Sequence, residues 1–137
     1  MFRIWLKDEA KEAARELKKP PAKSGKVFVK EWGINVRYDR DVGRWYIDWT
    51  EPSPFPTVPE DLVEAVTVIE TITRNFRPEG IYRWEGVELI VRNRVISPGG
   101  RSIHYQEVHI YGPSVEAVKK VYSLFRQGKL QPTEKWE

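Results

Sequence analysis

Apolar and polar residues alternate along much of this chain, and the alternation breaks at glycines and prolines. Lys26 to Trp32 sets Val27 and Val29 against Lys26, Phe28 and Lys30, the period of two expected of a half-buried strand. Gly33 then marks a bulge or sharp bend. Ile34 to Asp39 and Arg44 to Thr50 flank Arg40-Asp41-Val42-Gly43 and predict a hairpin. Pairing Asp39 with Arg44 brings Tyr38 opposite Trp45, Val36 opposite Ile47 and Ile34 opposite Trp49, so the large apolar side chains share one face. A one-residue slip would undo that agreement, which is the argument for the register. The opposite face carries Asn35, Arg37 and Asp39 against Arg44, Tyr46 and Asp48.

The same logic returns in Glu79 to Trp84, Val87 to Ile96 and Ile103 to Tyr111. Pairing Ile96 with Ile103 across the Ser97–Ser102 loop puts Val91 beside Val108 and Leu89 beside Ile110, as core. Glu88, Ile90, Arg92 and Arg94 then lie on the other face against Tyr105, Glu107, His109 and Tyr111. Arg92 sits opposite Glu107 and Arg94 opposite Tyr105, both favourable cross-strand pairs. Phe2 to Leu6 also alternates and is a candidate edge strand.

Helical periodicity predicts three further elements. Leu62, Val66, Ile69, Thr73 and Phe76 form a stripe behind the capping-box sequence Thr57-Val58-Pro59-Glu60. Val115, Val118, Val121, Tyr122 and Phe125 form another, opened by Pro113-Ser114 and stopped near Gly128. An earlier helix over about Asp8 to Lys19 gathers Leu6, Ala10, Ala13, Ala14 and Leu17 and ends at Pro20-Pro21, with a linker up to Gly25.

Val63-Glu64-Ala65-Val66 recurs as Val115-Glu116-Ala117-Val118, 52 residues on, and Trp32 falls on Trp84 at the same offset. Agreement of offset, pattern and element order predicts an internal duplication. The expected fold is α+β: an N-terminal helix followed by two βββα pseudo-repeats (26–76 and 79–128) that form an antiparallel sheet with helices packed on one face. The sequence's 137 residues suit a single domain of this kind, closed by a tail over 129–137.

Composition narrows the chemistry. Apolar residues at 40% against charged residues at 31% suit a globular fold. No apolar run nears the ~20 residues of a membrane-spanning helix. The opening Met1–Leu6 lacks the apolar region and cleavage site of a secretory signal, which predicts a cytoplasmic location. There is no cysteine, which excludes disulfides, thiolate metal sites and cysteine nucleophiles. Scarce Asn, Gln and Met beside ten prolines make a profile common in proteins from hot habitats. A formal net charge of +3 permits a polyanionic partner without demanding one.

The candidate site is the uncovered sheet face, which collects Arg37, Arg44, Tyr46, Arg92, Arg94, Tyr105, His109 and Tyr111. Arginines interleaved with tyrosines suit nucleic acid, because cations neutralise phosphate while rings stack on bases. The expectation is a non-enzymatic nucleic-acid-binding protein, monomeric or weakly dimeric, with no cofactor, metal or membrane partner. DNA and RNA both fit. The same residue types fill solvated strand positions and protein interfaces. The alternative is therefore a small regulatory or inhibitory protein, cellular or viral, that binds a larger protein such as part of the transcription machinery. Trp136 in the tail is a second candidate contact for it. Basic side chains also gather at Lys18, Lys19 and Lys23, and at Lys119, Lys120, Arg126 and Lys129, where helix ends favour them through the macrodipole.

Catalytic signals are weak. Asp39, Asp41 and Asp48 around the first hairpin, and Glu107 with His109 in the second, are the acids to weigh for metal-dependent nuclease chemistry. Asp41 in a turn has a local reason to be there. Pro98-Gly99-Gly100 has no following Lys-Ser or Lys-Thr, so it is a hairpin tip and not a phosphate loop. Glu51 to Pro56 reads as a stiff crossover, with a polyproline ligand the less common use of such a segment.

Overall fold

The computed structural model describes residues 1–21 and 25–134. Lys23 and Trp136 lie outside them, and so does the contact expected of Trp136. The chain forms two compact units, Met1–Val66 and Thr67–Glu137. Among the described residues there are eight strands and two α-helices, so strands dominate.

In the first unit, β1 (Phe2–Leu6), β2 (Lys26–Val29), β3 (Ile34–Asp39) and β4 (Arg44–Trp49) take the order β2-β3-β4-β1. The start of β5 (Val63–Ile72) follows on the far side of β1. The expected edge strand Phe2–Leu6 is therefore an interior one. Its antiparallel ladder with β4 pairs Ile4 with Ile47 and Trp5 with Tyr46, and Lys7 N–H donates to the Leu62 carbonyl at 2.7 Å. The β3–β4 register has the expected Asp39–Arg44 and Tyr38–Trp45 pairs. Gly33, at φ +65°, closes the turn between β2 and β3. Ile4, Leu6, Val29, Val36, Trp45 and Ile47 make the core, which Ala10, Ala14 and Leu17 help to bury.

The helix expected over Asp8 to Lys19 is broken. α1 spans only Ala10–Ala13, Ala14 is extended, and a 3-10 turn covers Arg15–Leu17. No side chain caps α1 at Glu9, and a helix this short has little stability of its own, so packing of small residues decides its shape.

In the second unit the order is β5-β8-β7-β6, with β6 (Gly80–Trp84), β7 (Val87–Ile96) and β8 (Ile103–Gly112). The β7–β8 ladder follows the expected register throughout, from Glu88–Tyr111 to Ile96–Ile103. α2 (Val115–Arg126) is opened by the Ser114 hydroxyl, which accepts from Ala117 N–H at 3.1 Å. Val115, Val118, Val121 and Phe125 are buried with Leu89, Val91, Val108 and Ile110, and Phe125 meets Tyr82 edge-on at 4.9 Å. At Gly112 the helix packs tightly on the chain: a Cβ there would lie 2.7 Å from Val118 Cγ2. Residues 129–134 return along β6. Ile81 N–H donates to the Glu134 carbonyl, Thr133 N–H donates to the Ile81 carbonyl, and Arg83 pairs with Glu134 at 2.7 Å.

The largest correction concerns Leu62 to Phe76. It is no helix: a 3-10 turn over Glu60–Leu62 leads straight into β5. Thr57, expected to cap that helix, instead donates its hydroxyl to the Trp32 carbonyl at 2.6 Å. The fold is therefore not an N-terminal helix followed by two βββα pseudo-repeats with helices packed on one face, because the first expected copy ends in a strand. The segment carries β-branched residues at 63, 66–69 and 71–73. These stiff side chains favour a pleated surface over a helix turn, and the strand pairing available to them outweighed the helical spacing.

Candidate nucleic-acid interface

Arg92, Arg94, Tyr105, His109 and Tyr111 fall in the second unit, on the side of β7 and β8 away from Leu89, Val91, Val108 and Ile110. β6 pairs with β7 only as far as Gly80–Val91. Beyond that pair the β7–β8 ladder runs on through Arg92–Glu107, Asn93–Gln106, Arg94–Tyr105 and Val95–His104 to Ile96–Ile103. A turn over Pro98–Gly100 closes it. Every residue from Arg92 to His104 is exposed, while opposite them Tyr105 is half-buried and Gln106 buried, so the hairpin becomes an arm with both strands in water from Val95–His104 outward. Between Glu88 and Glu107 it contains no carboxylate, while Arg92, Arg94 and Arg101 give it positive charge.

The base of the arm is pinned. Gln106 is 1% exposed. Its amide nitrogen donates to the Arg77 carbonyl at 2.6 Å and to Asn93 Oδ1 at 2.8 Å, and its oxygen accepts from Arg77 N–H at 3.0 Å. Asn93 N–H in turn donates to Glu79 Oε2 at 2.8 Å. Sequence reasoning missed both Gln106 and Asn93. The register already placed them opposite each other on the core side, where a paired polar couple is the available signal.

Nearer the body of the unit, Glu107 Oε1 lies 2.6 Å from His109 Nε2 and 4.0 Å from Arg94 Nη2. The hydrogen bond with His109, helped by the charges of His109 and Arg94 and opposed by burial, holds the Glu107 carboxyl below its ordinary range. Arg94 thus has a weak local counter-charge, and Arg92 faces Glu107 across the ladder. Thr67, Ile69, Glu88, Ile90, His109 and Tyr111 line a shallow groove of about 300 Å³ on this face. Ile69 is 59% and Tyr111 52% exposed.

Arg37, Arg44 and Tyr46 belong to the first unit. Lys26, Arg37, Tyr46 and Trp5 form one cross-strand row over β2, β3, β4 and β1. Arg37 and Lys26 are exposed, and Phe28, next on β2, is 56% exposed. Tyr46 is already engaged: the Arg3 guanidinium sits 4.0 Å above its ring and Trp5 lies 5.3 Å away. Arg3 is also paired with Asp48 at 3.0 Å, and Arg44 pairs with Glu64. Arg37 and Lys26 on this row, with Phe28 beside it, are therefore the readiest contacts. Trp5 and Arg3 escaped sequence reasoning because the β1–β4 pairing joins segments too far apart for a turn signal to fix.

The acids weighed for nuclease chemistry have structural roles. Asp39 Oδ1 accepts from the N–H groups of Asp41 and Val42 and shapes the hairpin turn, while Asp48 holds Arg3. Among the described residues no three His, Cys, Asp or Glu side chains gather where a metal ion would fit. No helix of the described chain is long and apolar enough to cross a membrane. No protein-family model, curated protein or solved structure matches the chain.

Proposed function

We propose that this is a non-enzymatic nucleic-acid-binding protein whose principal contact is the β7–β8 hairpin. One observation carries the reading: a stretch exposed from Arg92 to His104 that holds three arginines and no carboxylate. Beyond Glu107 and Glu79 at its base, the ribbon presents no carboxylate to an approaching polyanion, and Tyr105, half-buried beside Arg94, offers a ring where the ribbon joins the sheet. The row through Lys26 and Arg37 is a further basic surface for the same kind of ligand.

Binding of a short labelled DNA oligonucleotide, followed by fluorescence anisotropy, tests this. If Arg92, Arg94 and Arg101 each neutralise one phosphate, log affinity falls with log salt at a slope of about −2.7, roughly 40-fold between 50 and 200 mM. Arg94→Ala should bring that slope down by about one while weakening all sequences alike. Affinity indifferent to salt refutes the proposal.

The regulatory-protein reading has one observation in its favour, the groove in which Ile69, Ile90 and Tyr111 present apolar surface to water. It is the better reading if oligonucleotides fail to bind.

A further inference from the structure

We infer that the β7–β8 arm lies in the major groove of double-helical DNA. The inference rests on the nucleic-acid reading above and narrows its ligand from nucleic acid in general to one groove of one duplex. Width is the first argument. Past the buried Gln106 the ladder continues as β7 against β8, ~5 Å between backbones, with side chains to either side, and both strands are exposed from Val95–His104 outward. A two-stranded ribbon of that kind fits the B-DNA major groove of about 12 Å as it stands, whereas the minor groove of about 6 Å would first have to be opened by bending the duplex. The major groove of duplex RNA is deep and narrow and does not admit such an element.

Reach is the second. Five ladder pairs run from Arg92–Glu107 to Ile96–Ile103, and at ~3.3 Å per residue the four steps between them span about 13 Å before the turn. That exceeds the groove's depth of about 8.5 Å, so the tip meets base edges while Arg92, nearer the sheet, stays level with the backbone. Gly99 and Gly100 keep the tip slim: a Cβ on either would meet nothing within 4 Å.

The third argument is the chemistry of the two ends. Arginine lies at the base and middle, in Arg92 and Arg94, and again at Arg101 beyond the turn. The outermost ladder pair is apolar. Ile96 and Ile103 are 47% and 45% exposed and share a face with Arg94 and Tyr105. In water that pair gains little, whereas the thymine C5-methyl groups on the major-groove floor are apolar partners for it. The Gln106–Asn93–Arg77 network at the arm's base fixes the direction in which the arm leaves the sheet, so little ordering cost is left for binding.

The test uses the full chain and three probes of one sequence: duplex DNA, its single strand, and duplex RNA. A fourth probe is the DNA duplex with uracil replacing thymine, which removes only the major-groove methyl. Wild type should bind duplex DNA at least tenfold more tightly than duplex RNA and lose several-fold affinity for the uracil duplex. The double variant Ile96→Ser/Ile103→Ser changes exposed positions and should keep the wild-type circular dichroism. It should bind the thymine duplex several-fold more weakly, with the same salt slope, and no longer distinguish uracil from thymine. Equal binding of duplex RNA, a preference for the single strand, or indifference of wild type to the methyl overturns the groove assignment while leaving nucleic-acid binding intact. If no probe binds, or none responds to salt, the underlying reading fails instead. A concentration-dependent dimer of wild type that the double variant abolishes assigns the tip to a second copy of the chain and also overturns the inference.

Discussion

Replacing Gln106 by Leu keeps side-chain volume close to native and removes every hydrogen bond that this side chain makes. Three are lost: the donations to the Arg77 carbonyl and Asn93 Oδ1 and the bond accepted from Arg77 N–H. At ~1 kcal/mol net for each, with the two Arg77 backbone groups left near a fully buried apolar side chain, the cost is about 3 kcal/mol. For a chain of this length that is a fall in melting temperature of roughly 10 °C. Urea unfolding followed by tryptophan fluorescence measures it as a lower midpoint at unchanged slope. Asn93→Ala gives up one of the same bonds and should cost about 1 kcal/mol. The double variant should cost less than the sum, because the Gln106–Asn93 bond is counted in both single changes. A Gln106→Leu protein within about 1 kcal/mol of wild type, or strict additivity with Asn93→Ala, would refute the view that this network pins the arm.

Gly112→Ala introduces a Cβ 2.7 Å from Val118 Cγ2 and 3.0 Å from Val87 Cγ2. Forcing α2 off the sheet should cost about 1–3 kcal/mol in urea unfolding, and an equally stable variant would contradict the close approach. Glu107, held low chiefly by its bond to His109, contributes stability that is present above the ordinary glutamate pKa and is lost as pH falls through its depressed value. In carboxyl-detected NMR its midpoint should rise toward the ordinary value in His109→Ala; no movement would mean that the bond does not form in solution. Tyr82 is pushed up by burial, with the Arg77 charge acting against that shift, and its hydroxyl donates to the Pro78 carbonyl. Its neutral form therefore favours the fold below the ordinary tyrosine pKa, and that contribution disappears as pH climbs through the raised value. Tyr82→Phe should flatten the loss of stability above about pH 10, and an unchanged alkaline profile would count against the assignment.

The hairpins were readable because each carries its own evidence: alternation on both strands, a turn between them, and a register that only one pairing satisfies. That holds for Asp39–Arg44 and for the ladder from Glu88–Tyr111 to Ile96–Ile103. The helix after Ser114 was readable from its cap and its stripe. The tetrapeptide Val-Glu-Ala-Val shows where local reading stops. At 63–66 it is strand, and at 115–118 it is helix. The second copy follows a capping serine and leads into Lys119, Lys120 and Leu124, whereas the first leads into Thr67, Val68 and Ile69. Four residues leave the choice open, and their context makes it. The residue composition of the candidate surface was legible in the same partial way. Alternation identified which side chains leave the core, but not that the β6–β7 pairing ends at Gly80–Val91, which turns the end of a sheet face into an arm. Nor did it reveal that Arg3 occupies the Tyr46 ring.

The return of residues 129–134 along β6 bears on how the protein behaves in concentrated solution. β6 is the last strand in its order, and an outermost strand is where copies of a protein can add to one another and begin to aggregate. Here the Ile81 backbone donor and acceptor are taken up by Thr133 and Glu134, and Gly80, where any Cβ would collide with the Glu134 carbonyl, lets the segment lie flush. A chain clipped by protease soon after α2 would keep its core side chains yet expose that margin, and should lose solubility well before it loses its fold.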